Sequence, residues 1–571
     1  MLVLVLWLGH ALQSPPAGVT IPARDRGKVV VARSVESSRG CVVCVDHYAA
    51  EVGAQVLAEG GNAVDAAVAT LFALAVTHPP AGNLGGGGFL LAGFADGRVC
   101  AIDYRETAPA LATDAMFLDD RGEIDPEKSG IGYRVIGVPG TVAGLELAHE
   151  LFGSLPWSRL VRPARDLAGQ GIVVDADLCR AISEGSAQLR QFASTTRCFF
   201  HPDGSAYAAG ELWRQPDLAR SLQWIEEEGS KAFYRGPIAA LIEEEMLRGG
   251  GLVRRSDLED YRPRLREPIR VPVRGYEVLS MPPPSSGGIT LAQILRIVDP
   301  WLDSKVVFGS ALHRHLMAEA QRRAFALRAH HLGDPDATLI DGDWLTSAEL
   351  GDRMRRSIRF DQASRSDDFG PAVSEQSSAH TTHLSVVDRL GNAVSNTYTL
   401  EDSFGSKVVA EGTGFLLNNE LHDFNLRPDW TDRKGNIGTP PNLARPGRRP
   451  LSSMTPVIVR RGTRPVLVTG SPGGRSIIST VAWILVARLC FDLPLQECVL
   501  SARQHHQWFP DVLQLEPEVT ATVECALQAL GHTTRRTRQG DAHSIEVAEK
   551  GRVLGVADRR IDGWAAAPGD G

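Results

Sequence analysis

The sequence is short of the features that would place it in several large classes. Eight cysteines in 571 residues are too few for a disulfide scaffold. Positive charge is not in excess: 60 Lys and Arg stand against 68 Asp and Glu, for a net charge of −8, and no long basic run occurs. Nucleic-acid binding by backbone neutralisation is therefore disfavoured. No run of 18 consecutive apolar residues is present, which excludes a multi-span helical membrane protein. The nearest stretch, 477–491, contains Arg488 and reads as a buried core helix. The apolar run Leu2–Leu8 is too short to span a bilayer. It resembles the centre of a secretory signal, although the positive residues that usually precede one are missing. No repeat of solenoid period occurs.

Several chemical signatures are also missing. There is no HExxH, no GK[ST] and no GxSxG, so a zincin, a P-loop and an α/β-hydrolase serine are not indicated. The pairs His313/His315, His330/His331 and His505/His506 have no metal-ligand spacing, and no metal or cofactor is expected. Cys41-x-x-Cys44 has no second CxxC to complete a zinc site and reads as small apolar residues in a strand. Whether Cys41 pairs with Cys44, or Cys179 with Cys198, is left open by the sequence. GNLGGGGF (82–89) lacks the dinucleotide-binding context and reads as a tight backbone approach or packed turn.

What is present is a folded chain, 43% hydrophobic and 22% charged, long enough to bury a sizeable core. CVVCVD (41–46) is of strand type. Residues 47–79 predict two Ala-rich helices broken at Gly60–Gly61 and stopped at Pro79–Pro80. Residues 139–250 read as mostly helical, and 310–334 as one long helix. A polar stretch, 361–380, interrupts this order. From Thr381 the character changes: TTHLSVVD, a turn at Gly391–Asn392 and AVSNTYTL predict a β-hairpin. Two more strands, the apolar helix and a last hairpin follow. The chain thus reads as helix-rich before residue 380 and strand-rich after it.

A polar loop that ends in a hydroxyl residue opening a strand suits self-cleavage. Breaking the 380–381 bond would give Thr381 a free α-amine, which can serve as the base for its own Oγ. An α-amine titrates near about 7.7–8.0, so no histidine–aspartate relay is needed.

The chain resembles the gamma-glutamyltranspeptidase family of N-terminal nucleophile hydrolases from about residue 40 to 567. The matching segments are GGNAVDAAVA (60–69), GNLGGGGF (82–89), DYRETAPA (103–110), GVPGTVAGLELA (137–148), MPPPSSGG (281–288), TTHLSVVD (381–388), FLLNNELHDF (415–424), RPLSSMTP (449–456), GSPGGRSI (470–477) and GDAHSI (540–545). The resemblance implies a four-layer αββα sandwich, made as one precursor. Behind a leader and lead-in at 1–28 it would be cut into a large subunit, 29–380, and a small one, 381–571. It implies γ-glutamyl transfer from glutathione-like amides to water or to amino acid and peptide acceptors, in an extracytoplasmic compartment.

By the same resemblance Thr381 is the nucleophile, Thr399 its supporting hydroxyl, and Gly473 and Gly474 the pair whose N–H groups form an oxyanion hole. Arg105, Ser452 and Ser453 match the groups that hold the substrate carboxylate. A guanidinium fork suits that task better than lysine does. Glu420 and Asp423 match the pair that holds the α-ammonium. Glu401 stands where some members have asparagine, adding negative charge near the amine. The proline-rich stretch 425–450 falls where many members have a lid loop. Two alternatives remain: a related amidohydrolase for glutaryl, β-lactam side-chain, dicarboxylic or polyglutamate amides, and a non-catalytic peptide-binding relative.

Overall fold

The computed structural model describes residues 33–303, 305–370, 381–428, 439–548 and 551–569. The signal-like leader, the residue before Thr381 and the middle of the expected lid loop lie outside them.

Side-chain alternation builds the layers. Along the strand Thr381–Asp388, Leu384 and Val386 join one apolar cluster with Val42, Leu90, Ile102 and Val394. Val387 joins a second cluster with Cys41, Phe89, Leu91 and Ala393. A period of two sends neighbouring residues to opposite faces, so a strand buried on both faces separates two cores. The same rule settles one cysteine question. Cys41 and Cys44 belong to opposite clusters, on opposite faces of one strand, and cannot bridge. All eight cysteines are free thiols.

The first seven-stranded sheet runs, in spatial order, Trp564–Ala566, Gly40–Cys44, Thr381–Asp388, Ala393–Thr399, Gly87–Gly93, Val99–Tyr104 and Arg264–Arg266. The second runs Ser34–Ser37, Val553–Ala557, His543–Val547, Arg464–Thr469, Val457–Arg461, Tyr276–Ser280 and Ile269–Val273. Helices His47–Ala58 and Ala63–Thr77 cover the outer face of the first sheet. Gly287–Val298, Ala311–His331 and Ser476–Cys490 pack with the second. The order of layers is helix, sheet, sheet, helix, the αββα sandwich of N-terminal nucleophile hydrolases.

The expected partition into a helix-rich first part and a strand-rich second part holds, but it does not separate the sheets. Both sheets draw strands from either side of residue 380. The strands missed by sequence patterning include the hairpin Ile269–Val273/Tyr276–Ser280, which turns through Arg274 and Gly275 at positive φ. Its edge strand alternates exposed arginine and proline with valine, so it carries little apolar signal. Both parts of the chain therefore contribute strands to each sheet and pair with each other within it.

The two predicted Ala-rich helices form as read. Asp46 caps the first, and Asn62 with Asp65 makes a reciprocal capping box on the second. Asp65 is fully buried and also accepts from Ser154 N, Ser154 Oγ and Leu155 N, tying the helix to the 153–155 loop. Its place in the GGNAVDAAVA motif is therefore structural. Replacing it with alanine strands several buried donors, at a cost of about 2–4 kcal/mol. Asp65→Ala should lower the urea unfolding midpoint clearly, and Asp65→Asn should lower it less. An unchanged midpoint in Asp65→Ala would refute the structural assignment.

Candidate active site

Thr381 opens a central strand of the first sheet and lies directly opposite Thr399 in the antiparallel register. Its Oγ1 donates to Thr399 Oγ1 over 3.4 Å. Thr399 Oγ1 in turn accepts from the backbone N–H of Glu401 at 2.8 Å. Both threonines share the strand face that carries Ser385 and Ser395, whose hydroxyls donate to carbonyls of the second sheet. The hydroxyl pair thus sits at one end of the space between the sheets.

Glycine spacing closes the floor beneath it. Gly86 lies so close to Thr399 that an added Cβ would stand 2.1 Å from the Thr399 carbonyl oxygen. Asn83 secures the approach by donating to that carbonyl and accepting from Gly86 N. The Gly-rich 82–89 segment is thus the packed turn its composition suggested.

Gly473 and Gly474 follow the strand Arg464–Thr469 and enter the buried helix Ser476–Cys490. Their φ values of +125° and +55° are open to glycine and strained for other residues. Gly474 lines the cavity beside Thr381; Gly473, directly before it, is not among the lining residues. The helix start behind them adds positive potential where an oxyanion would form.

The cavity is lined by Thr381, Thr399 and Gly474 together with Arg105, Glu401, Glu420, Asp423, Ser452 and Ser453. Apart from Gly473, every expected site residue is therefore in one place. Arg105 is 0% exposed and held on all sides. Nη1 donates to Glu420 and Nη2 to Asp423, while Nε donates to Pro450 O at 3.1 Å. The cavity is only about 40 Å³, room for a few waters. The groups expected to hold opposite ends of a substrate hold each other instead.

Burial shapes the electrostatics. It works against the Arg105 charge, but Glu420, Asp423 and Glu106 outweigh it and raise the guanidinium above its ordinary value. Burial lifts the Glu420 carboxyl well up, with Arg105 opposing. Glu401 is likewise raised by burial, with a hydrogen bond from His422 opposing. The Glu401 carboxylate accepts from Asn419 Nδ2 and lies 3.8 Å from His422 Nδ1. Its backbone is left-handed, at φ +80°. His383, near the hydroxyl pair, is fully buried and its imidazole is pulled well down by burial. Its ring nitrogens bond Thr397 and Ser385.

Three site residues escaped motif reading. Glu106 is buried 3.6 Å from Arg105 Nη1. Arg328, from the helix Ala311–His331, and Arg475, which follows the glycine pair, both line the cavity. Burial pulls the Arg328 guanidinium down to about 10, with Asp423 opposing. Burial and Arg328 together pull Arg475 well down. Ala311–His331, which carries Arg328, is polar along much of its length yet buried on nearly every side.

His315, Glu319 and His532 bring ligand atoms within 4.8 Å of one another, a triplet the adjacent-histidine pairs did not reveal. Glu319 there is engaged by Arg323 at 2.7 Å and lies 3.4 Å from Arg322. His315 Nδ1 and His532 Nε2 bond each other at 2.8 Å. Two guanidiniums on the one carboxylate oppose a cation there.

The gamma-glutamyltranspeptidase family model matches residues 49–568. The glutathione hydrolase proenzyme of Escherichia coli (strain K12) is 42% identical over 532 residues, covering 93% of this chain and 92% of that protein. Among solved structures, the cephalosporin acylase from Bacillus halodurans superposes with a TM-score of 0.82 at 26% identity, covering 98% of this chain and 100% of that one. The Helicobacter pylori gamma-glutamyltranspeptidase matches at 39% identity and a TM-score of 0.56, covering 61% of this chain and 97% of that one. With this fold, this cavity and a match over nearly its whole length, the chain belongs to the gamma-glutamyltranspeptidase family.

Proposed function

We propose that the chain is a precursor that cuts its own 380–381 bond and then transfers γ-glutamyl groups from glutathione-like amides to water or to amino acid and peptide acceptors. Residues 29–380 form the large subunit and 381–571 the small one. The observation that carries this reading is one cavity that places a strand-opening threonine beside an Arg105–Glu420–Asp423 cluster. The relative from Escherichia coli, a glutathione hydrolase proenzyme, supports it. The apolar Leu2–Leu8 run supports an extracytoplasmic location. No helix among the described residues is long and apolar enough to cross a membrane.

Once cleaved, the Thr381 α-amine takes the proton from its own Oγ as that oxygen attacks the γ-carbonyl. The N–H groups of Gly473 and Gly474 receive the oxyanion. Collapse breaks the amide C–N bond, and the leaving amine takes the proton back from the Thr381 ammonium. Water or an acceptor amine then attacks the ester by the same route and frees Thr381. Thr399, tied to the Glu401 N–H, keeps the nucleophilic oxygen oriented.

Binding is an exchange of ion pairs. A glutamyl group carries both a carboxylate and an ammonium on one carbon. The carboxylate replaces Glu420 and Asp423 on Arg105, and the ammonium replaces Arg105 on the acids. Neither charge is then left buried and alone, the costly outcome for an ion pair in a protein interior. A glutaryl group supplies only the carboxylate and leaves Glu420 and Asp423 without a cation. The acylase reading is therefore the weaker one, and a glutaryl anilide turned over as well as the γ-glutamyl anilide would reverse that ranking.

Two variants separate the steps. Thr381→Ala should remain a single chain without turnover, whereas the parent should give two chains, the smaller starting Thr-Thr-His. Intact mass and N-terminal sequencing check both, and a Thr381→Ala protein that still cleaves at 380–381 would remove Thr381 from the role. Arg105→Lys should cleave normally but raise the donor KM by about 100-fold, because a point charge replaces a fork held by two acids. Loss of cleavage with normal donor affinity in whatever fraction matures would show the Arg105 assignment to be wrong.

A further inference from the structure

What two hydroxyl oxygens already accept limits where their own protons can point. Ser453 Oγ accepts from Arg328 Nη2 at 3.0 Å. A guanidinium has only donors, so this oxygen must accept, and its own proton points elsewhere. Ser452 Oγ accepts from the Met454 N–H at 3.2 Å, which fixes it in the same way. Among the described residues neither hydroxyl donates to a protein acceptor, and both serines line the cavity of Thr381.

Arg328 is itself held in place. Its Nε donates to Ser286 Oγ at 2.8 Å. Ser286 Oγ donates to Ser452 O at 2.6 Å, and Ser286 N reaches the same carbonyl at 2.7 Å. The MPPPSSGG segment, the RPLSSMTP segment and the long helix thus lock together around one guanidinium. Arg328 is buried yet lines the cavity, so its charge is felt there with little screening.

The geometry points to Arg328 as a positioning residue and second cation of the substrate carboxylate site: it turns the Ser453 hydroxyl proton into the cavity and adds its own charge to that of Arg105. The inference rests on the reading of the cavity as a γ-glutamyl site. It assigns the α-carboxylate two guanidiniums and two hydroxyl donors, where motif matching supplies one guanidinium.

The test compares γ-glutamyl-p-nitroanilide with 4-aminobutyryl-p-nitroanilide, which keeps the amine and lacks the carboxylate. Kinetics are measured on self-cleaved protein with a cooperative melt. Arg328→Met should reduce the preference for the γ-glutamyl anilide by about 10- to 100-fold, mainly through KM, as expected for a charge-assisted contact made in ground and transition states alike. Arg328→Lys should recover part of that preference. In a Ser453→Ala background, Arg328→Met should cost less than it does alone, because the two act on one group. Equal slowing on both anilides, or full additivity with an unchanged preference, would overturn the proposal. If Arg328→Met does not fold, Arg328→Lys and Ser286→Ala carry the test. Each should lower the preference, and no drop in either overturns it. A parent enzyme with no preference for the γ-glutamyl anilide would instead refute the γ-glutamyl reading, independently of Arg328.

Discussion

The ion-pair cluster of Arg105 with Glu420 and Asp423 is the constraint on which the site depends. A guanidinium with no solvent exposure is costly unless carboxylates meet it, and Glu420, buried in turn, needs it, while Asp423 reaches it from the partly exposed side. The cluster is therefore stable when empty and satisfied again when a zwitterion divides it. A ligand with one charge, or none, breaks the cluster without repairing it. On the proposed reading, selectivity for an amino acid head group follows from this balance before any shape argument is made. The same interaction holds the turn Glu420–Asp423 against the Arg105 loop, so it positions the cavity walls as well as the charges.

The layered fold determines which atoms the cluster faces. Thr381 and Thr399 lie on the same face of paired strands, and a one-residue slip would turn both hydroxyls to the helix side. Residues that cannot slip without loss hold the register. Tyr398 is buried and donates to Leu71 O on the helix side, while Ser395 and Ser385 donate across to the second sheet. With strands from both parts of the chain paired in each sheet, a cut between residues 380 and 381 leaves these contacts untouched. This pairing makes a chain break compatible with an intact active site.

Sequence reading captured the parts of the site that lie in short, chemically distinctive segments. Glycine pairs, SS and TT doublets, and an arginine in DYRETAP are visible because each is unusual at its spacing. Arg328 was not visible, since its helix holds several buried arginines and histidines and nothing in the local pattern separates the one at the cavity from those in structural pairs such as Arg323–Glu319. Glu106 was passed over although it adjoins Arg105, because a carboxylate beside an arginine reads as an ordinary surface pair until burial is known. The hairpin at 269–280 was lost for the reverse reason: its edge strand alternates weakly, and pairing rather than propensity makes it a strand. Asp65 shows that a recognisable motif residue can be purely architectural.

Glu401 joins these threads. A glutamate at φ +80° is strained, since a left-handed backbone costs a non-glycine residue about 1–2 kcal/mol. The strain coincides with a contact of the backbone and not of the side chain: in this conformation the Glu401 N–H reaches Thr399 Oγ1 and fixes the hydroxyl that, on the proposed reading, supports the nucleophile. The carboxylate is then left to find partners where the turn puts it, and it finds Asn419 and His422. Asparagine tolerates a left-handed backbone better than glutamate does, which gives a physical reason for the asparagine that the family resemblance implies at this position in some members. The residue type at this position can change without disturbing the amide, so the site can vary its negative charge while its nucleophile stays in register.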